Sequence, residues 1–305
     1  MGGEDDLASN KLFSNLFLSI GAMKAGTTWL YAVLSRHPSL HFAMEKEIHY
    51  FYHRYVDPSQ LSEARRLTEA RNRYLPRFDP STANIDAVRH NLHWIANYLD
   101  RPVDDFWYRN LFQMRDKEVY ACDFSNLHAH LPAAAWPRVA AQANRLRVLY
   151  TMRDPVKRLW SHTKFHLQIT GQIEKLAHWT AEEFQGFVRQ PHIWKNAEYG
   201  EVLRNLRRGL PEDCRKVIFY EDLHADQRGM LSQIETFLEI EPFHYPQALL
   251  DRRFTESVKH PMPEFFADLF ANDVSRICRE VEQEGFELPH SWFSGDKTEP
   301  DQSID

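Results

Sequence analysis

The stretch LFLSIGAMKAGTTWLYAVLSRHPSLHF, residues 16–42, decides the fold. An apolar run rich in β-formers gives way to a glycine-bounded loop carrying one lysine, and then to a helical pattern. Gly21 and Gly26 enclose four residues, the outline of a phosphate-binding loop. In a nucleoside triphosphatase a lysine and then a Ser or Thr would follow the second glycine, the hydroxyl serving Mg²⁺. Here Thr27 and Thr28 follow it, and the lysine comes earlier, at Lys24. The cradle keeps its physics: Gly26 lets the backbone turn tightly, and the amides that open the next helix point at an anion. Thr27 and Thr28 add hydroxyl donors and Lys24 a mobile cation. The arrangement reads as a site for a phosphate handled without metal. A glycine-bounded turn with an incidental lysine has the same outline.

The rest of the chain supplies a sheet around this loop. Arg147–Met152 and Lys216–Tyr220 are further buried-strand runs, with weaker ones at Leu40–Met44 and Glu118–Phe124. Helical patterns lie between and after them, at Thr27–Arg36, Val156–Gln168, Tyr199–Arg208, Gly229–Glu239 and Pro263–Glu284. Strands alternating with helices predict an α/β fold, a P-loop-like, largely parallel sheet with helices on both faces. The strand signals vanish between about 53 and 117, where charged and aromatic residues predict a helical, acceptor-side insertion within a single domain spanning 1–305. Its aromatics Trp94, Tyr98, Phe106, Trp107, Tyr108 and Phe112 fit either an acceptor groove or core. The polar tails, about 1–12 and 295–305, read as mobile.

Composition narrows the function. Among 305 residues, 43% are hydrophobic and 26% charged, the balance of a globular protein, and a formal charge of −6 argues against a nucleic-acid partner. Cys122, Cys214 and Cys278 form no CxxC pair, so neither a zinc site nor a disulfide framework is expected. His162 and His166 have metal-pair spacing but lack the HExxH glutamate, which favours an ordinary helix face. The acidic start and the lack of a long apolar run predict a soluble cytoplasmic protein without a membrane span.

A second strand–turn–helix unit, LRVLYTMRDPVKRLWSHTKFH, carries another set of anion-binding groups. Asp154 is a good N-cap and Pro155 suits the first helical position, which puts Arg153 at the mouth of the sheet. Arg158 and Ser161 follow along roughly one face, so two guanidinium groups and a hydroxyl can meet one phosphate. Surface charges pairing with Asp154 would look alike.

Together these motifs resemble the sulfotransferases that use 3′-phosphoadenosine 5′-phosphosulfate (PAPS). GAMKAGTTWL is similar to that family's 5′-phosphosulfate loop and RDPVKRLWS to its 3′-phosphate element. The resemblance implies a donor with phosphate at two ends of an adenosine, and places Lys24 at the bridging region where charge develops as the sulfuryl group leaves. It implies Lys24, Ala25, Gly26, Thr27, Thr28, Trp29, Arg153, Ser161 and Lys259 as donor-binding residues, with Trp29 against the adenine and no metal. EKEIHYF resembles a segment of the branch acting on heparan-type glycans and of its bacterial relatives, which implies Glu47 as the base with His49 beside it. Tyr52 stands where that branch often has an acid. ACDFSNLHAH is a looser match to its acceptor side, and KVIFYEDL, SVKHPMPE and ELPHSW are similar to later family segments. The expected reaction is sulfuryl transfer to a hydroxyl or amine, with a carbohydrate acceptor implied by the glycan-branch motif. Net acidity and the aromatic insertion point instead to a lipid, phenol or carrier-bound hydroxyacyl chain. The alternatives to this activity are a P-loop kinase or NTPase and a catalytically inactive nucleotide-binding protein.

Overall fold

A computed structural model describes residues 11–77, 81, 84–254 and 260–293. Five strands form one sheet: β1 (Phe13–Ser19), β2 (Leu40–Phe42), β3 (Tyr120–Phe124), β4 (Ala143–Met152) and β5 (Arg215–Phe219). They run in the order β2-β3-β1-β4-β5, and all four pairings are parallel. β1 is central, with Leu18 opposite Asp123 on one side and Val148 on the other.

Burial on both faces explains the unbroken apolar runs. Leu16 and Leu18 of β1 join one core and Phe17 the other, because successive side chains leave a strand on opposite faces. Helix α1 (Thr27–Leu34) and the helix Gln227–Leu238 cover the Phe17 face. The helices Pro155–Ile169, Tyr199–Gly209 and Ala271–Gln283 contribute to the core on the other. The expected helix Pro263–Glu284 is broken into Phe266–Leu269 and Ala271–Gln283, with Phe270 leaving helical geometry at φ −121°.

The insertion is helical, with Tyr50–Tyr55, Glu63–Glu69, Ile85–Leu99 and Asp105–Asn110 as its main helices. Its aromatic residues build core. Trp94 stacks on Tyr98 at 5.1 Å and Tyr50 on Tyr108 at 4.5 Å, and Trp94, Tyr98, Trp107, Tyr108 and Phe112 are all buried. Of the six aromatics that could have lined a groove, Phe106 alone is exposed. Buried Arg66 ties this subdomain together by donating to the carbonyls of Leu61, Tyr98 and Asp100. Among the described residues no helix is long and apolar enough to cross a membrane.

The chain leaves β1 for β2 on one side and later returns on the other as β4, so a topological switch lies at the C-terminal end of β1. Ligands bind at such ends in open α/β sheets. The loops after β1, β2, β3 and β4 all gather there.

Candidate active site

The loop after β1 is pinned to β4. The Ala22 amide donates to the Thr151 carbonyl at 2.7 Å, and the Thr151 amide to the Gly21 carbonyl at 2.8 Å. Gly21, Lys24 and Gly26 all have positive φ, at 115°, 68° and 78°. Gly26 is required twice over, since a Cβ there would also lie 2.9 Å from the Tyr220 ring. Ala25 is buried and its amide donates to the Ala22 carbonyl. No side chain caps α1, and its first turn holds no acid. The opening amides of α1 are thus left facing the loop.

The second helix start is built differently. The Asp154 carboxylate caps it by accepting from the amides of Val156 and Lys157. Arg153 lies with its guanidinium 4.2 Å from the Tyr220 ring centroid and donates to the Lys24 carbonyl at 3.0 Å. One arginine therefore joins the two strand–helix turns. The Tyr199 hydroxyl donates to the Arg153 carbonyl and fixes its backbone. Glu221 accepts from the Asp154 amide, and burial raises the carboxyl pKa of both acids.

One expectation for this region is corrected. Arg158 does not share a ligand face with Arg153: it is fully buried, near His162 Nδ1 at 3.3 Å and the Ile193 carbonyl at 3.5 Å. Burial lowers its pKa and pushes that of His162 well down, so the imidazole is neutral beside the guanidinium. Trp29 is packed beneath the loop. It is 1% exposed, and its indole donates to the Leu250 carbonyl at 3.0 Å. Ser161 is buried in the second helix, and Lys259 lies outside the described residues.

The segment after β2 brings acid–base groups to the same edge. Glu47 and His49 both adopt left-handed backbone, φ 66° and 61°, a costly geometry for non-glycine residues that surrounding bonds hold in place. The Glu47 amide donates to the Phe124 carbonyl, and the Asn126 amide donates to Glu47 Oε2 at 2.8 Å. His49 Nε2 lies 3.6 Å from that oxygen, and desolvation lowers the His49 pKa. The His49 amide donates to Ser125 Oγ at 2.9 Å, and Ser125 donates to Asp123 Oδ1 at 2.6 Å. Tyr108, from the insertion, donates to Asp123 Oδ2 at 2.9 Å. Full burial pushes the Asp123 pKa up to about 7.

Lys46 connects this segment to the phosphate-type loop. Its ammonium donates to Thr27 Oγ1 and Thr28 Oγ1, each at 3.1 Å, and lies 3.4 Å from Glu47 Oε1. Lys46 carries no motif signal of its own in the sequence, where it stands between two acids, Glu45 and Glu47. Asp123 has no role assigned from sequence either, although a lone acid inside the buried strand YACDF is a legible signal. Lys24, Thr27, Thr28, Glu47, His49 and Arg153 thus gather at one edge of the sheet. Lys24 reaches across the loop to the Phe165 ring, 4.9 Å from its centroid.

Such an edge can hold a ligand with anionic groups at two places and set a carboxylate beside it. The chain matches the family model described as "Sulfotransferase family" over residues 17–245. It is similar in structure to the sulfotransferase from Alicyclobacillus acidocaldarius, at 20% identity and TM-score 0.59, covering 91% of this chain and 98% of that one. The sulfotransferase domain from the Synechococcus PCC 7002 olefin synthase is a second similar structure, at 16% identity and TM-score 0.51, with 92% and 98% coverage. No curated protein matches the chain in sequence. The match of the family model to most of the chain shows that this protein belongs to the sulfotransferase family.

Proposed function

We propose that the protein moves a sulfuryl group from PAPS to a hydroxyl or amine, with a carbohydrate as the acceptor class. Arg153 carries this reading. By joining the loop around Lys24 to the start of the second helix, it sets two anion-binding elements at a fixed separation, as a nucleotide with phosphate at both ends requires. Lys24, Ala25, Gly26, Thr27 and Thr28 take the 5′-phosphosulfate, and Arg153 with Ser161 the 3′-phosphate. In the reaction the acceptor oxygen or nitrogen attacks sulfur in line. The bond from sulfur to the bridging oxygen breaks, and 3′,5′-adenosine bisphosphate leaves with the electron pair. Glu47 takes the acceptor proton, held in place by the Asn126 amide. His49, kept neutral by burial, orients Glu47 and is the reserve base. Lys24 and the opening amides of α1 stabilise the charge growing on the leaving phosphate, commonly the largest catalytic contribution. The acceptor assignment rests on the EKEIHYF segment and on its place beside the loop.

Calorimetric titration with 3′,5′-adenosine bisphosphate, ATP and Mg-ATP tests the donor. Binding of the bisphosphate that chelation leaves unchanged and Arg153→Ala strongly weakens is the expected result. Preference for Mg-ATP would favour a kinase or NTPase. Bisphosphate binding without labelled-sulfate transfer to any sugar, lipid or phenol, with an affinity that Glu47→Gln leaves unchanged, would favour an inactive nucleotide-binding protein.

A further inference from the structure

The position of Lys46 is electrostatically odd. A helix N-terminus carries partial positive charge and favours anions, so a cation there is disfavoured. Yet the Lys46 ammonium sits at the start of α1 on the hydroxyls of Thr27 and Thr28, with its side chain only 16% exposed. Two neutral hydroxyls are a poor replacement for the water this ammonium has given up. Glu47 offsets part of that cost from 3.4 Å, but its other oxygen is already engaged by the Asn126 amide. A tie between the Glu45–His49 segment and α1 does not require a charge; a hydroxyl or amide side chain would serve.

The hydrogen-bond directions give the charge a use. Lys46 can only donate, so both threonine oxygens act as acceptors toward it. Each hydroxyl keeps its own proton to give elsewhere, and that proton is polarised by the ammonium behind it. Thr27 and Thr28 open a helix that no side chain caps.

We infer that Lys46 is a positioning residue for the 5′ end of the donor: it orients and polarises the Thr27 and Thr28 hydroxyls as donors to the 5′-phosphate or phosphosulfate oxygens. The anion in turn relieves the repulsion between the ammonium and the helix start. This inference rests on the donor reading proposed above and adds a second cation, behind the threonines, to Lys24 in front of them.

The test compares two ligands that differ only at that end, 3′,5′-adenosine bisphosphate and adenosine 3′-monophosphate, by calorimetry. Lys46→Met is expected to lose roughly tenfold in affinity for the bisphosphate, the size of one charge-assisted bond, and under about twofold for the monophosphate. Lys46→Arg should recover most of the loss. A merely structural lysine would weaken both ligands alike, so equal losses, or none, overturn the inference while leaving the donor reading intact. If the wild-type protein does not bind the bisphosphate, the donor reading fails and this inference fails with it. Should Lys46→Met not fold, Lys46→Gln keeps a hydrogen-bonding side chain without the charge, and the same selective loss for the bisphosphate is then required.

Discussion

The helix starts that follow β1 and β4 at the C-terminal edge of the sheet look alike in sequence and differ in build. α1 begins at Gly26 with no side-chain cap, so its amides face the loop. The helix Pro155–Ile169 begins at Asp154, whose carboxylate consumes two of its amides. The first start therefore offers backbone donors to a ligand, and the second offers a side chain, Arg153. Backbone donors are fixed in direction and pre-organised, which suits charge that changes during a reaction. A guanidinium suits an anion that only has to be held. On this reading the 5′ end of the donor is where chemistry occurs and the 3′ end is an anchor.

The largest effects should come from breaking the first start. Lys24→Ala is expected to lower turnover of labelled PAPS by about 10²–10³, as loss of one preorganised electrostatic donor does, with a smaller change in bisphosphate affinity. Gly26→Ala attacks the same start through its backbone, because the left-handed φ is strained and the new methyl meets the Tyr220 ring. It should abolish bisphosphate binding in calorimetry. A Gly26→Ala protein that binds normally would show that the amides of α1 are not the 5′ cradle.

The loop after β3 gives a pH-dependent contrast, because its anchoring carboxyl is buried rather than placed at a helix start. The Asp123 pKa stands near 7, raised above an ordinary unfolded value of about 4. Between those values the native protein keeps a proton that the unfolded chain has lost, so stability falls as pH rises from about 4 to 7 and then levels off. The span corresponds to a few kcal/mol, an order-of-magnitude figure. Asp123→Asn mimics the protonated acid and should flatten this part of the curve of Tm against pH relative to wild type. An unchanged slope would mean that Asp123 is ionised in the native state throughout.

Breaking the second start should cost binding more than rate. Arg153→Ala is expected to weaken 3′,5′-adenosine bisphosphate by about 10–100-fold, in line with loss of charge-assisted bonds, and to weaken adenosine 5′-monophosphate far less. Equal weakening of both would place Arg153 at the 5′ end, or would mean that its bond to the Lys24 carbonyl shapes the first loop.

What the sequence revealed, and what it hid, follows the range of the interactions. The strands were legible because β1, β4 and β5 are apolar runs covered on both faces, and the turns because glycine and capping chemistry act within a few residues. Contacts that span the chain left little local trace. Lys46 meets threonines 18 and 19 residues earlier. Tyr108 meets Asp123 from inside the insertion. Arg158 had the spacing of a ligand residue, but the Ile193 carbonyl and His162 enclose it, and Trp29 is claimed by Leu250. The aromatic insertion was ambiguous for the same reason, since ring spacing along a helix does not tell whether other rings will stack on it.

The smallest effect tests whether the second start is only scaffold. Asp154→Ala removes a cap worth ~1 kcal/mol, so Tm should fall by about 2–3 °C for a domain of this size. Bisphosphate affinity should change by less than about threefold, because the carboxylate serves the amides of Val156 and Lys157 and not the ligand. Two opposing terms reinforce that expectation. The variant frees two amides at a positive helix end, which favours a nearby phosphate, and it loosens the backbone that aims Arg153, which disfavours it. A loss as large as that of Arg153→Ala would mean that aiming dominates, and that cap and guanidinium form one functional unit. A gain in affinity would mean that the freed amides reach the phosphate, turning the second start into a copy of the first.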